Sequence, residues 1–236
     1  MSLIVTQDIC KTYRTGEVAV EALKSVSFTI EPKSFVSFVG PSGSGKTTLL
    51  NLIGCLDRPT SGTLEVAGIH ISRLNRKKAA AFRGSHLGFI FQDFNLIPVL
   101  SVYENVEYPL LMVQNIPGSE RRKRVLHMLD AVGMTDQKDK YPDHISGGQK
   151  QRVAVARALV TKPPLILADE PTANLDSQTA FKVIDLMHHM RDEFGATFVF
   201  STHDRKIVRS VETIYSLTDG RINTHASLSS QGGNDA

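Results

Sequence analysis

The run Gly40-Pro41-Ser42-Gly43-Ser44-Gly45-Lys46-Thr47, followed by Thr48, carries the most explicit chemistry in this sequence. It satisfies the spacing G-x-x-x-x-G-K-[ST] at every fixed position. Glycines admit the backbone angles that turn successive N–H groups inward as an anion cradle. A helix opening directly after them adds the positive end of its dipole. In that setting Lys46 supplies a point charge for the β- and γ-phosphates of a nucleotide, and the Thr47 hydroxyl supplies a ligand for Mg2+. A dinucleotide-binding fingerprint does not fit, because its third glycine would fall at Thr48.

Three further groups extend this chemistry. Leu165-Ile-Leu-Ala-Asp169-Glu170 is a run of apolar residues ending in two acids. A buried parallel strand delivers its polar tip to the sheet edge where ligands bind. Asp169 there suits the Mg2+ shell and Glu170 suits the activation of an attacking water. The plainer alternative is an ordinary strand-to-helix turn with a capping acid. Ser146-Gly147-Gly148-Gln149 offers a second anion site at a helix start. One nucleotide does not need two such sites in one chain, so this one is expected to face a nucleotide on another copy; a simple helix cap is the alternative. His203 closes an apolar run and can reach the γ-phosphate region. Tyr13 can stack on a base or be an exposed strand aromatic. Arg152 and Arg157 are expected to pair with acids or helix ends, and the His188-His189 pair to lie on a partly exposed helix surface, since no second pair at metal spacing accompanies it.

Such residues need elements that present them. Residues 4–10 and 22–30 read as strands, and 34–39 alternates with period two before Gly40. A helix is expected over about 46–56, stopped before Pro59. Residues 63–66 and 87–91 read as strands. The middle is helical: Ser101 and Glu104 fit a capping box, 120–132 has an amphipathic pattern, and 147–160 is a helix broken before Pro163-Pro164. Strand and helix then alternate again, with 165–168 a strand, 178–194 a helix capped by Ser177, and 197–201 a strand. The result is an α/β parallel-sheet core interrupted by a helical insertion from about 92 to 162.

Composition narrows the class. The chain has 236 residues, 41% hydrophobic, enough for a sizeable core. No apolar run reaches the ~18 residues of a membrane span. The N-terminus lacks the basic start and apolar centre of a signal peptide. Two cysteines, Cys10 and Cys55, suit free thiols in a reducing compartment. A net charge of +3, from 27 Lys+Arg against 24 Asp+Glu, is too balanced to expect nucleic acid as a partner. The basic runs at 73–78 and 121–124 read as solvated helix faces, or as sites near an anionic surface or acidic partner. Residues 227–236, rich in Ser, Gly, Asn and Gln, read as a flexible tail.

Taken together, these motifs resemble those of ABC transporter ATP-binding subunits, over residues 4 to about 223. Residues 40–47 resemble the Walker A motif, 165–170 Walker B, and 146–149 the signature motif, with Ile145 where leucine is usual. Gln92 matches the Q-loop glutamine, Ala173-Asn-Leu-Asp176 the D-loop, and His203 the switch histidine. Tyr13 matches the adenine-stacking aromatic. The wording of 51–57, 87–92 and 167–172 resembles the lipoprotein-releasing and macrolide-exporter type, although some lipoprotein-releasing members carry an acid at the position of Gln149. The resemblance implies a P-loop NTPase with a RecA-like parallel core, an N-terminal antiparallel β subdomain and an inserted α-helical subdomain. It implies one domain over 1–226, with its core at about 1–91 and 163–226 and its helical subdomain at about 92–162.

The activity implied is hydrolysis of ATP with Mg2+. Glu170 and His203 are catalytic; Thr47, Gln92 and Asp169 surround the metal. Tyr13, residues 40–48 and Gln92 bind the nucleotide. Two copies would close head to tail, each nucleotide lying between the 40–47 loop of one and residues 146–149 of the other. The partners implied are integral membrane permease subunits, and the location is peripheral, on the cytoplasmic face of the inner membrane. Phe94, Leu96, Ile97 and Leu100 would line the groove for a permease helix, or be core. Only sixteen residues follow Gly220, too few for the regulatory domain of many importer ATPases, which leans the expectation to export. The soluble alternative is an iron–sulfur assembly ATPase. A small-molecule kinase would leave Ser146–Gln149 and His203 without a role.

Overall fold

The computed structural model describes residues 1–204, 207 and 211–227. The chain opens with a long hairpin, β1 (Ile4–Thr15) and β2 (Val18–Ile30). With β4 (Ser61–Val66) and β5 (Ile69–His70) it forms a four-stranded antiparallel sheet in the order β2-β1-β4-β5. Both hairpin strands are longer than the sequence suggests, because Gly16 turns the chain at a positive φ of 61° and lets the exposed ends keep pairing.

The second sheet has six strands. It contains β3 (Phe35–Val39), β6 (Leu87–Ile90), β7 (Leu165–Asp169), β8 (Thr197–Thr202), β9 (Thr213–Thr218) and β10 (Arg221–Ser227), in the order β10-β9-β3-β8-β7-β6. All neighbours pair in parallel except β9 and β10. Every residue of β8 is buried, as a parallel strand covered on both faces requires. Burying Phe198 and Phe200 completely stabilises the fold by roughly 1.5–3 kcal/mol each. They join the core formed with helices α3 (Val102–Met112), α4 (Gly118–Ala131), α5 (Gly147–Leu159) and α6 (Ser177–Phe194). On the opposite face, Phe28, Phe38 and Leu217 form a second core with α1 (Lys46–Ile53).

Local signals account for most boundaries. Ser101 and Glu104 form the expected capping box on α3. The 121–124 run is not simply solvated: Arg121 bonds Glu107 at 2.9 Å and Arg124 bonds Glu120 at 2.8 Å. Four readings need correction. The cap of α6 is Asp176, whose carboxylate accepts from the Thr179 N–H, so Ser177 is the first helical residue. Helix α1 stops at Ile53, where Gly54 and a left-handed Cys55 (φ 54°) turn the chain. Residues 76–86, read only as part of a basic run, form helix α2 (Arg76–His86) with Arg76, Lys77 and Lys78 exposed on its first turn. Ser227 ends β10 rather than starting a tail, and 228–236 lie outside the described residues. Strands β9 and β10 carry no distinctive pattern and escaped the sequence reading.

Candidate functional site: a nucleotide cavity at the carboxyl ends of β3 and β7

The loop from Gly40 to Gly45 leaves the carboxyl end of β3 and enters α1. A Cβ at Gly40 would lie 2.0 Å from the Leu217 carbonyl oxygen, and one at Gly45 2.6 Å from that of Ala22. Gly45 also holds φ 106°, a conformation that side chains other than glycine rarely adopt. The loop therefore packs closely on β9 and β2 at both of these glycines, where no side chain fits. Helix α1 has neither a side-chain cap nor an acid in its first turn, which leaves its positive end for an anion. Lys46, 7% exposed, donates to the Gly40 and Pro41 carbonyls at 2.8 and 3.0 Å.

Parallel pairing brings the acids to the same place. Asp169 ends β7 beside Ser201 of β8. The Ser201 hydroxyl donates to Asp169 Oδ1 at 2.6 Å, and Thr47 Oγ1 donates to the same oxygen at 3.2 Å. The Glu170 N–H donates to Ser201 Oγ at 3.0 Å. Glu170 sits in the left-handed region at φ 48°, which costs a non-glycine residue about 1–2 kcal/mol. That turn aims its carboxylate back into the cavity, with Oε1 3.8 Å from Lys46 Nζ and Oε2 2.9 Å from His203 Nδ1. Ser201 was missed in the sequence; only the β7–β8 register reveals it.

Gln92 follows β6 and reaches across to Asn174, with Nε2 3.5 Å from Asn174 Oδ1. Asn174 in turn donates to the Gln92 carbonyl at 3.1 Å and to Asp93 Oδ1 at 2.9 Å. The loop beyond is pinned by Arg157, which donates to the carbonyls of Phe94 and Asn95. Burial holds that guanidinium below its ordinary pKa. Arg152 donates to the Val132 carbonyl at the end of α4 at 3.3 Å. Arg152 thus serves a helix end, as expected, whereas Arg157 serves a loop rather than an acid or a helix end. The His188-His189 pair is partly exposed as expected, with His189 at the surface and His188 half-buried, its ring stacked on buried Phe35 with centroids 3.7 Å apart.

These groups enclose a cavity of about 840 Å3 lined by Pro41, Ser42, Gly43, Gly45, Lys46, Thr47, Thr48, Gln92, Glu170 and His203, with Val20, Ala22 and Lys24 of β2 along one wall. The volume lies in the range of small-molecule sites. Ser44 is buried within the loop. The oxygen atoms of Thr47 and Asp169 are hard donors that fit Mg2+, which takes one or two carboxylates and completes its shell with water and phosphate oxygens.

Tyr13 and the Ser146–Gln149 segment stand apart from the cavity wall. Tyr13 is 40% exposed and its hydroxyl donates to Asp57 Oδ2 at 2.9 Å, although its cross-strand neighbour Val20 does line the cavity. Ser146 caps α5 by accepting from the Gln149 N–H at 3.3 Å, while Gln149 Oε1 accepts from the Ser146 N–H at 2.9 Å. Ser146, Gly148 and Gln149 border a different hollow of about 310 Å3, with Arg152, Thr179 and Lys182. The apolar hollow of about 240 Å3 on the helical side is lined by Gly84, Phe89, Phe91, Pro109 and Val113, not by Phe94, Leu96, Ile97 and Leu100. Of that expected set Leu96 packs on the core.

A glycine cradle, a buried lysine and an acid pair at the carboxyl ends of parallel strands define a P-loop nucleotide hydrolase. The comparisons with known proteins are specific. A family model described as ABC transporter matches residues 23–173. An uncharacterized ABC transporter ATP-binding protein of Thermotoga maritima is 45% identical over 215 residues, 91% of each chain. The macrolide export ATP-binding/permease protein MacB of Syntrophobacter fumaroxidans is 44% identical over 223 residues, 94% of this chain but 31% of that longer protein. The dimeric post-hydrolysis structure of the ATP-binding cassette MJ0796 bound to ADP and Pi superposes with a TM-score of 0.87 at 43% identity, covering 96% of this chain and 99% of that one. The chain belongs to the ABC transporter ATP-binding family. It is an ABC ATPase with the P-loop NTPase fold, and ATP is its substrate. Among the described residues no helix is long and apolar enough to cross a membrane.

Proposed function

We propose that this chain powers an exporter-like transporter of the macrolide-export or lipoprotein-releasing type, as a domain over 1–226 that closes into an ATP-dependent homodimer. One observation carries the dimer: Ser146–Gln149 border a hollow separate from the cavity of Lys46, so a second chain is the simplest source of the phosphates they would bind. The dimeric relative MJ0796 supports the same reading. The macrolide export protein named above carries the ATPase and the permease in one protein, and the permease subunits that this ATPase works with would hold it at the cytoplasmic face of the membrane. These relatives do not favour the iron–sulfur assembly alternative.

In the reaction, residues 40–48 and Lys46 above all hold the triphosphate, and Tyr13 carries the base. Bound Mg2+, near Thr47, Asp169 and Gln92, would neutralise charge on the β- and γ-phosphates. Glu170 accepts the proton of the attacking water, and His203, in contact with Glu170, orients that water against the γ-phosphate. Phosphoryl transfer depends mostly on such positioning and charge stabilisation. Light scattering tests the dimer. A hydrolysis-blocked Glu170→Gln chain is expected to be monomeric alone and dimeric with saturating MgATP, because a ligand shared between two chains links assembly to occupancy. A persistent monomer at saturating ATP contradicts the proposal.

Coupling to the permease is assigned to the apolar hollow of Phe89, Phe91, Pro109 and Val113 and to the exposed Tyr108, Leu111 and Met112 beside it on α3. An exposed apolar patch of this kind marks a partner site, and Gln92 connects the preceding strand to the cavity. Val113→Glu and Met112→Glu, both at exposed positions, should leave ATP affinity within about twofold, as surface substitutions do. ATPase stimulation by the reconstituted permease should fall several-fold. Full stimulation in both variants would move the partner surface elsewhere.

A further inference from the structure

We propose that Asp57 and Lys11 are positioning residues for the nucleotide base: they hold the Tyr13 ring by its hydroxyl and by one face, leaving the other face to stack on the purine. The inference rests on the reading of Tyr13 as the base platform.

Tyr13 lies near the exposed end of β1, where an aromatic ring is free to swing unless something restrains it. Two contacts do so. The phenol donates to Asp57 Oδ2 at 2.9 Å, and the Lys11 ammonium lies over the ring, 4.8 Å from its centroid. The same ammonium donates to Asp57 Oδ1 at 2.7 Å and to the Arg58 carbonyl at 2.8 Å. The β1–β2 register is irregular on both sides of Lys11, and such irregularities re-aim side chains. A cation over an aromatic face is attracted by the ring quadrupole. The ring stays 40% exposed, so it is not covered on both faces.

The charges within this clamp balance. Burial pushes the Asp57 carboxyl up, but hydrogen bonds from Lys11, the Arg58 N–H and Tyr13 outweigh it and hold the acid below its ordinary value. Burial and then the Asp57 bond push the Tyr13 phenol up, so it remains a donor at neutral pH. The position of Asp57 is also informative. Its N–H and that of Leu56 donate to the Asn51 carbonyl at 3.2 and 2.9 Å, which anchors Asp57 just beyond the end of α1. Helix α1 therefore presents Lys46 to the phosphates at its start and, through Asp57 just beyond its end, fixes the ring for the base, so the two ends of the nucleotide are held at a set separation. A restrained ring binds more tightly because less freedom is lost on stacking.

Lys11 and Asp57 also pin the turn at 57–60 to β1, together with the bonds from the Thr12 N–H to Thr60 Oγ1 at 3.0 Å and from the Thr60 N–H to the Cys10 carbonyl at 2.8 Å. The experiment must separate that structural role from positioning. Equilibrium dissociation constants would be measured for MgATP and for magnesium tripolyphosphate, which has phosphates and no base. Tyr13→Ala should weaken MgATP about tenfold or more, the scale of base stacking on an aromatic. Tyr13→Phe keeps the ring and removes only the tether. It and Asp57→Ala should each weaken MgATP about three- to tenfold, and the double variant no further, because both break one bond. Asp57→Asn, which can still accept from Tyr13, should recover part of the loss. Tripolyphosphate affinity should not change in any of them. Parent-like MgATP affinity in Tyr13→Phe and Asp57→Ala, with Tyr13→Ala impaired, overturns the clamp. An equal loss for tripolyphosphate in Asp57→Ala makes that acid a pin of the turn and also overturns it. Parent-like affinity in Tyr13→Ala overturns the base platform itself. If Asp57→Ala does not fold, Tyr13→Phe decides alone.

Discussion

Glu170→Gln is expected to bind MgATP with nearly the parent affinity, to hydrolyse it about 10²-fold or more slowly, and to accumulate as an ATP-bound dimer. The residue has the geometry of a base that acts on something in the cavity. Its left-handed backbone and the bond from its N–H to Ser201 fix where the carboxylate points. The carboxylate sits in the cavity in direct contact with His203 at 2.9 Å and at the longer distance of 3.8 Å from Lys46. Glutamine preserves size and hydrogen bonding and loses only the capacity to take a proton, so the loss should fall on turnover. His203→Ala should also slow hydrolysis with little change in affinity, since it removes the group in contact with that carboxylate. Phosphate release and equilibrium ATP binding, measured side by side, check both. Hydrolysis by Glu170→Gln at the parent rate would remove Glu170 as the base. Parent rates in both variants would leave a nucleotide-gated binding module.

Lys46→Ala should raise the dissociation constant for MgATP by about 10- to 100-fold or more, the range of hydrogen bonds that involve charged groups. The ammonium is nearly buried and held on two carbonyls of its own loop, so its charge is already in place before the phosphates arrive and little ordering cost offsets the attraction. Those carbonyls face the cavity, so their loss of a partner is expected to be met by water, and the melting temperature should fall by no more than a few degrees. Isothermal titration with MgATP, together with thermal unfolding followed by circular dichroism, separates lost binding from lost folding. Unchanged affinity would remove the cavity as the ATP site.

What the residues determine by themselves is the chemistry of short stretches. The glycine spacing of 40–47 encodes a phosphate cradle because glycine alone tolerates both the backbone angle of Gly45 and the close approach at Gly40, and those demands are local. The apolar run ending at Asp169 likewise specifies a buried parallel strand, and the Ser101–Glu104 box specifies where α3 starts. The tertiary structure decided what those stretches meet. Ser201 joins Asp169 to Glu170 only because β7 and β8 pair in register. Asp57, 44 residues from Tyr13, reaches the Tyr13 hydroxyl only because α1 packs beneath the hairpin. The apolar hollow formed at Phe89, Phe91 and Val113 rather than at Leu96, since whether an apolar side chain serves the core or the surface depends on what packs over it. The cap of α6 fell to Asp176 instead of Ser177, a choice between adjacent residues that turns on the angle at which the chain enters the helix. Residue type and spacing encode local backbone demands, whereas register and packing set the distances between residues far apart in the chain, and the cavity is made of those distances.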